Sequence, residues 1–307
     1  MTEDDKGFVL GQAGLYLRAL GRLGEAAQPM QASLEAATAG KDWNNSARRA
    51  HNLSELYLTS GDLTQALTYA RQGVELADRS GDAGERTKQR MKLANVLYQA
   101  GRTKEAEDAF TKGENMQREM QSAFPYLYST RGFQYCDLLL GQEEYQEVQS
   151  RANQTIEIAR RNNWLLDIGL DHLSLGRAYL LQGQQEGTSD FSQAATYLNQ
   201  AVDGLRKAGH QEYLPLGLLA RGELYRLMKD FEKAQHDLDE AMSIATRGGM
   251  RLHETVCYLE NARLYLAMGE KAKARENLDK AKEMIKEMGY HRRDKEVKEL
   301  EKQLKKK

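Results

Sequence analysis

Four glycines stand forty residues apart: Gly21, Gly61, Gly101 and Gly141. Three alanines, Ala26, Ala66 and Ala106, keep the same step five positions on. The step returns as Ala194, Ala234 and Ala274. A period of this length is the mark of a chain built from stacked supersecondary units, none of which can bury its apolar face alone. Before each glycine lies an apolar run with helical spacing, such as Leu53, Leu56 and Tyr57, or Leu93, Val96 and Leu97. Glycine just past a helix is the usual left-handed cap. After a polar turn a second helix begins, with a small residue where the two helices cross.

Small residues also mark the middle of the first helix of each unit: Gly14, Ser54, Ala94, Gly176, Gly222 and Ala262. Four positions before the loop glycine comes Leu17, Tyr57, Leu97 or Tyr265, with Tyr179 at the matching place. Small beside large is what close helix crossing needs. Only three prolines interrupt the 307 residues, and no stretch alternates like a strand.

This pattern resembles the tetratricopeptide repeat (TPR), in a forty-residue form without the proline that usually ends the second helix. Stretches such as GKDWNNSARRAHNLSELYLTSGDL and NNWLLDIGLDHLSLGRAYL are similar to the C-terminal TPR arrays of bacterial STAND-type signalling proteins. The resemblance implies an all-α solenoid, a right-handed superhelix of about seven antiparallel helix pairs. Units start near residues 7, 47, 87, 127, 169, 215 and 255. Residues 1–6 read as a disordered lead, 7–290 as the solenoid, and 291–307 as a charged capping helix with Val297, Leu300 and Leu304 on one stripe. Gln134, Asp137 and Gln146 break the pattern in the fourth unit. Lys229 replaces the turn glycine in the sixth. Gln184–Ser189 reads as a polar insert lengthening the inter-helix loop of the fifth. Trp43 and Trp164 stand where one unit hands over to the next and read as plugs.

Lys and Arg number 44 against 45 Asp and Glu, which gives no basic footprint for nucleic acid or anionic membrane. Only the lysine-rich tail offers a weak alternative contact for nucleic acid. The start lacks a secretion signal and no apolar run is long enough to span a bilayer, so a cytoplasmic protein is expected. The two cysteines, Cys136 and Cys257, have neither a metal nor a disulfide spacing. The six histidines are scattered, and no phosphate loop, zinc-protease helix or nucleophile elbow occurs. No cofactor, metal or catalysis is expected.

In TPR arrays the first helices line the concave face, and the resemblance implies that a protein or peptide is held there. The positions projecting into it are Arg48, His51, Glu55, Lys88, Met91, Asn95, Tyr98, Tyr128, Arg131, Tyr135, Arg177, Glu223, Arg226 and Arg263. Arginine and tyrosine carry interface energy well: one offers a fork of donors, the other a rigid body with a polar tip. The expected function is a scaffold or sensor module docking a partner, such as an upstream or separate NTPase or effector. The alternative is a peptide-sensing receptor.

Overall fold

The computed structural model describes residues 3–305. Among them are fifteen α-helices and no strand. Successive helices pack as antiparallel pairs: α1 (Glu3–Ala19) with α2 (Leu23–Ala39), α3 (Trp43–Ser60) with α4 (Leu63–Ser80), α5 (Ala83–Gln99) with α6 (Thr103–Met120). Then follow α7 (Ser129–Gly141) and α8 (Tyr145–Arg161), α9 (Leu165–Glu186) and α10 (Ser192–Ala208), α11 (Leu214–Leu227) and α12 (Phe231–Arg247), α13 (Arg251–Ala267) and α14 (Lys271–Met288). A 3-10 turn, His291–Arg293, leads into α15 (Asp294–Lys305). This is a TPR-like solenoid.

The repeated residues do what their chemistry requires. Gly61 adopts φ +84°, and the turn is closed by Asp62 N–H donating to Tyr57 C=O at 2.8 Å. Asp42, Asp62 and Asp82 cap the following helices, their carboxylates accepting from the backbone N–H of Asn45, Gln65 and Glu85. Ala26, Ala66, Ala106, Ala194, Ala234 and Ala274 are all buried. Opposite them the small first-helix residues admit close approach. A Cβ on Gly176 would stand 2.7 Å from Leu198, and one on Gly14 would collide with Met30. Ser54 uses its small size differently: its hydroxyl donates to Ala66 C=O at 2.9 Å.

The chain divides into two units. The first comprises 1–125 with the short segments 247–252 and 285–293; its core holds Met30, Leu34, Leu53, Leu56 and Leu76. The second comprises 126–246, 253–284 and 294–307, with a core of Leu170, Leu173, Leu198, Leu218, Leu224, Leu238 and Leu264.

Several expectations need correction. Helix α1 already includes residues 3–6, part of the expected disordered lead; Met1 and Thr2 lie outside the described residues. Gly141 is the last helical residue of α7 rather than a left-handed cap. Glu143, two positions later, takes φ +67° in that turn. The first half of the Gln184–Ser189 insert, residues 184–186, extends α9 to Glu186 instead of lengthening the loop. Gly187 then ends the helix at φ +70°. The terminal helix starts at Asp294, since residues 291–293 form the 3-10 turn. Lys229 does adopt the left-handed conformation, at φ +62°.

Candidate partner-binding surface

In the first unit, α3 and α5 lie side by side and their polar residues interlock. Arg48 Nε donates to Glu85 Oε1 at 3.0 Å and Lys88 Nζ to the same oxygen at 2.9 Å. Burial alone would raise the Glu85 pKa, but its bonds to Lys88 and Arg48 prevail and hold it below the usual carboxylate range. Lys92 pairs with Glu55. Asn95 accepts from Gln99 at 3.1 Å. His51 is half-buried and Met91 buried. Tyr98 is also buried, and the Arg292 guanidinium lies 4.1 Å from its ring centre while donating to Gln99 Oε1 at 3.1 Å. Residues 285–293 thus cover Tyr98 within this unit.

In the second unit, Tyr128 stacks on Trp164 with ring centres 5.9 Å apart, and Arg131 stands 5.4 Å over Tyr128. Tyr135 is buried, its ring 4.6 Å from the Arg151 guanidinium of α8; Tyr126 flanks the same group at 4.6 Å. Its aromatic face is therefore spent on α8. Arg177 pairs with Asp137 across α9 and α7 at 2.8 Å. Gln184 of α9 donates to Glu223 of α11 at 3.2 Å, and Arg226 donates to the same oxygen at 3.4 Å. Arg263 of α13 pairs with Glu260 and, at 2.6 Å, with Glu296 of α15. Burial works against the Arg263 charge, but Glu260, Glu296 and Glu223 overcome it and raise its pKa.

First helices of neighbouring repeats are thus joined by a polar ladder within each unit. Sequence reasoning chose one side of many rungs and missed the other: Glu85, Lys92 and Gln99, then Asp137 and Gln184 as partners, Glu260 and Glu296. A signal was there. Glu-x-x-Arg or Glu-x-x-Lys recurs at 85–88, 223–226 and 260–263, a spacing that places both charges on one helix face.

Other clusters carry less chemistry. His236, Asp237 and Glu240 approach one another as metal ligands would. Both Asp237 oxygens, however, accept from Arg221 at 2.7 and 2.8 Å, and Glu240 accepts from Arg206 at 2.5 Å. Those guanidiniums already supply the positive charge a cation would bring. Asp167, Asp171 and His172 of α9 face α7 and α8. Ser129 Oγ lies 2.8 Å from Asp167, Thr155 Oγ1 lies 2.8 Å from Asp171, and Arg160 is 3.4 Å from His172 Nε2. Asp171 keeps a little surface, but its Oδ2 is sealed, and burial drives its pKa to about 8. Burial and Arg160 push His172 down to about 4. Cys136 and Cys257 are buried free thiols, and burial pushes Cys257 up to about 12, so it is inert at neutral pH.

Paired helices, left-handed turns and small-residue crossings at a forty-residue step define a tetratricopeptide repeat protein. Residues 7–79 match a tetratricopeptide repeat model, and residues 61–299 match the model described as the SusR N-terminal TPR domain. The second match spans well over half of the sequence, and the chain belongs to that family. No curated protein matches the sequence. Among solved structures, a Rap protein complexed with Competence and Sporulation Factor is similar at 12% identity and TM-score 0.56, over 97% of this chain and 99% of that one. A STAND protein with a TPR sensor from Pyrococcus horikoshii is similar at 17% identity and TM-score 0.55, over 94% of this chain and 42% of that one. A tetratricopeptide repeat protein from Parabacteroides merdae is similar at 16% and 0.54, over 98% and 100%. At these identities the likeness is one of fold. Among the described residues no helix is long and apolar enough to cross a membrane. TPR modules bind proteins or peptides and are generally non-catalytic.

Proposed function

We propose that the chain is a non-catalytic scaffold or sensor arm that holds a segment of a partner protein along the face made by its first helices. The observation that carries this reading is the polar ladder. Side chains pair between α3 and α5 in the first unit, and between α7 and α9, α9 and α11, and α13 and α15 in the second, partly desolvated, on a face that is neither core nor ordinary surface. Such prepaired groups are held in place before a partner arrives, which lowers the ordering cost of binding. Arg131 over Tyr128, beside the partly exposed Trp164, adds the aromatic and guanidinium surface typical of binding anchors. The family name puts the TPR domain at the N-terminus of SusR. An effector acting with this chain would then follow the array or be a separate protein, rather than stand upstream.

A peptide-sensing role is the second reading. It is favoured by the Rap fold match, whose structure contains Competence and Sporulation Factor.

The test is affinity capture from the source cell with the wild-type chain and with a Tyr128→Ala, Arg131→Ala double variant. A protein retained by the first and weakened about tenfold or more with the second is expected, since anchor truncation commonly costs over 1 kcal/mol. Equal retention by both would remove these residues from the site. No specific retention at all would remove the reading.

A further inference from the structure

Helix α1 presents an apolar face that its own repeat does not cover. One side of the helix packs on α2 through glycines: a Cβ on Gly7 would stand 2.8 Å from Ala36 Cβ, and one on Gly11 would stand 2.7 Å from Ser33 Oγ. The other side carries Phe8, Val9, Tyr16 and, just past the helix, Leu20, which are 60, 54, 69 and 71% exposed. At about 100° per residue these four fall on one stripe with Gln12, Ala13 and Ala19, all of them exposed as well. From Gly7 to Leu20 the only charged residue is Arg18, which is half-buried and lies off the stripe. Exposed apolar side chains scattered singly are ordinary, whereas a contiguous stripe marks an interaction surface.

The forty-residue register shows what such a face is for. Leu56 and Val96 hold the Tyr16 position in the second and third repeats, and they are 1% and 0% exposed. Leu56 shares one core with Met30 and Leu34 of the preceding helix α2. The position that goes under a neighbouring helix inside the array is left open on α1.

Three features fit the stripe to a second copy of itself. A two-fold contact sets a face against its own twin, so any charge on it would meet a like charge; this face has none. Gln12, the polar side chain near its middle, has an amide that both donates and accepts, so the two copies of it can satisfy each other. The area is also sufficient. The four large apolar side chains expose roughly 450 Å² on each copy, and two copies with Gln12, Ala13 and Ala19 pass the roughly 1,000 Å² that a specific interface needs. We propose that the chain forms a two-fold dimer in which α1 of one copy packs along α1 of the other, with Tyr16 and Leu20 buried at the joint. None of these residues belongs to the polar ladder, so the pairing stands independently of the segment-binding reading.

The experiment is sedimentation equilibrium of the full chain, from about 1 to about 100 μM. The expected result is a monomer–dimer equilibrium for the wild type. A Tyr16→Glu, Leu20→Glu double variant sets carboxylates of both copies against each other and should weaken the dimer about a hundredfold or more. Met228→Glu, at an apolar side chain 53% exposed in the turn between α11 and α12, should leave association unchanged. Circular dichroism melts check that the variants fold, and Leu20→Glu alone carries the test should the double variant fail to fold. A wild type that stays monomeric throughout overturns the proposal and leaves the stripe to a different protein. A dimer that the double variant forms equally well, a dimer that Met228→Glu abolishes, or assembly beyond two copies would overturn it too.

Discussion

Asp171 and His172 are neighbours on α9 with opposite displacements, and the signs decide how the fold responds to pH. The Asp171 carboxyl titrates near 8 in the fold, against 3.8 when free of it. The folded chain therefore binds the extra proton, and the stabilisation this gives is lost as pH rises toward 8. His172 titrates near 4 instead of 6.5, so its contribution is present above 6.5 and lost as pH falls toward 4. Between pH 4 and 6.5 the two slopes cancel. Between 6.5 and 8 only Asp171 acts, and it removes about 2 kcal/mol at 1.36 kcal/mol per unit. Urea unfolding across that window should show the wild type weakening by this amount and Asp171→Asn staying level. A level wild type would mean the carboxyl is ionised throughout. The protonated acid also explains the contact with Thr155. Its hydroxyl lies 3.1 Å from Arg151 C=O, so it can donate there and accept from Asp171 O–H.

Single elements were legible in proportion to how local their causes are. Turn glycines, aspartate caps and small crossing residues act within a few positions, and helix pairs could be read from them directly. The exceptions have physical causes too. Gly141 lost its expected role because α7 runs one residue further and Glu143 takes the strained conformation. Residues 184–186 became helix because glutamine and glutamate favour one, and Gly187 then ends it. Helix α15 shows how an apolar stripe reads through heavy charge: Val297, Leu300 and Leu304 are all buried, Leu300 at 2% exposure. Leu300→Ala should cost about 2–5 kcal/mol, as truncation in a closed core does. Lys302→Ala, two residues on and exposed on the opposite side of the helix, should leave the melting temperature within a degree or two. Equal melts for the two variants would mean the stripe contributes nothing to the fold.

At the scale of the whole chain, the side chains a residue meets from far away were the illegible part. Tyr98 read as an open groove position, yet Arg292 covers it. Tyr135 read likewise, yet Arg151 holds its ring. Periodicity tells which face of a helix a residue occupies but not which distant group has already claimed it. The turn glycines give a measurable case. Gly61 and Gly81 both take left-handed φ, +84° and +71°. A Cβ at Gly81 would meet nothing within 4 Å, whereas one at Gly61 would run into Met288 and stand 3.1 Å from Arg251 Cβ. Gly81→Ala should cost about 1 kcal/mol through backbone strain alone. Gly61→Ala should cost about 2–3 kcal/mol, the excess coming from overpacking. Chemical denaturation of the pair measures that excess, and identical midpoints would show that Met288 yields freely.

The Arg292 to Gln99 hydrogen bond joins residues 193 positions apart. During synthesis on the ribosome, Tyr98 emerges long before the arginine that will shelter it. Until residues 285–293 are made, the growing array carries an uncovered aromatic ring and bare turns at Gly61 and Gly101. Loop-closure entropy makes such distant joins late events. The opening repeats of this chain are thus finished by residues translated about 190 positions later, and a nascent chain stalled short of them would present to chaperones a surface that the folded array hides.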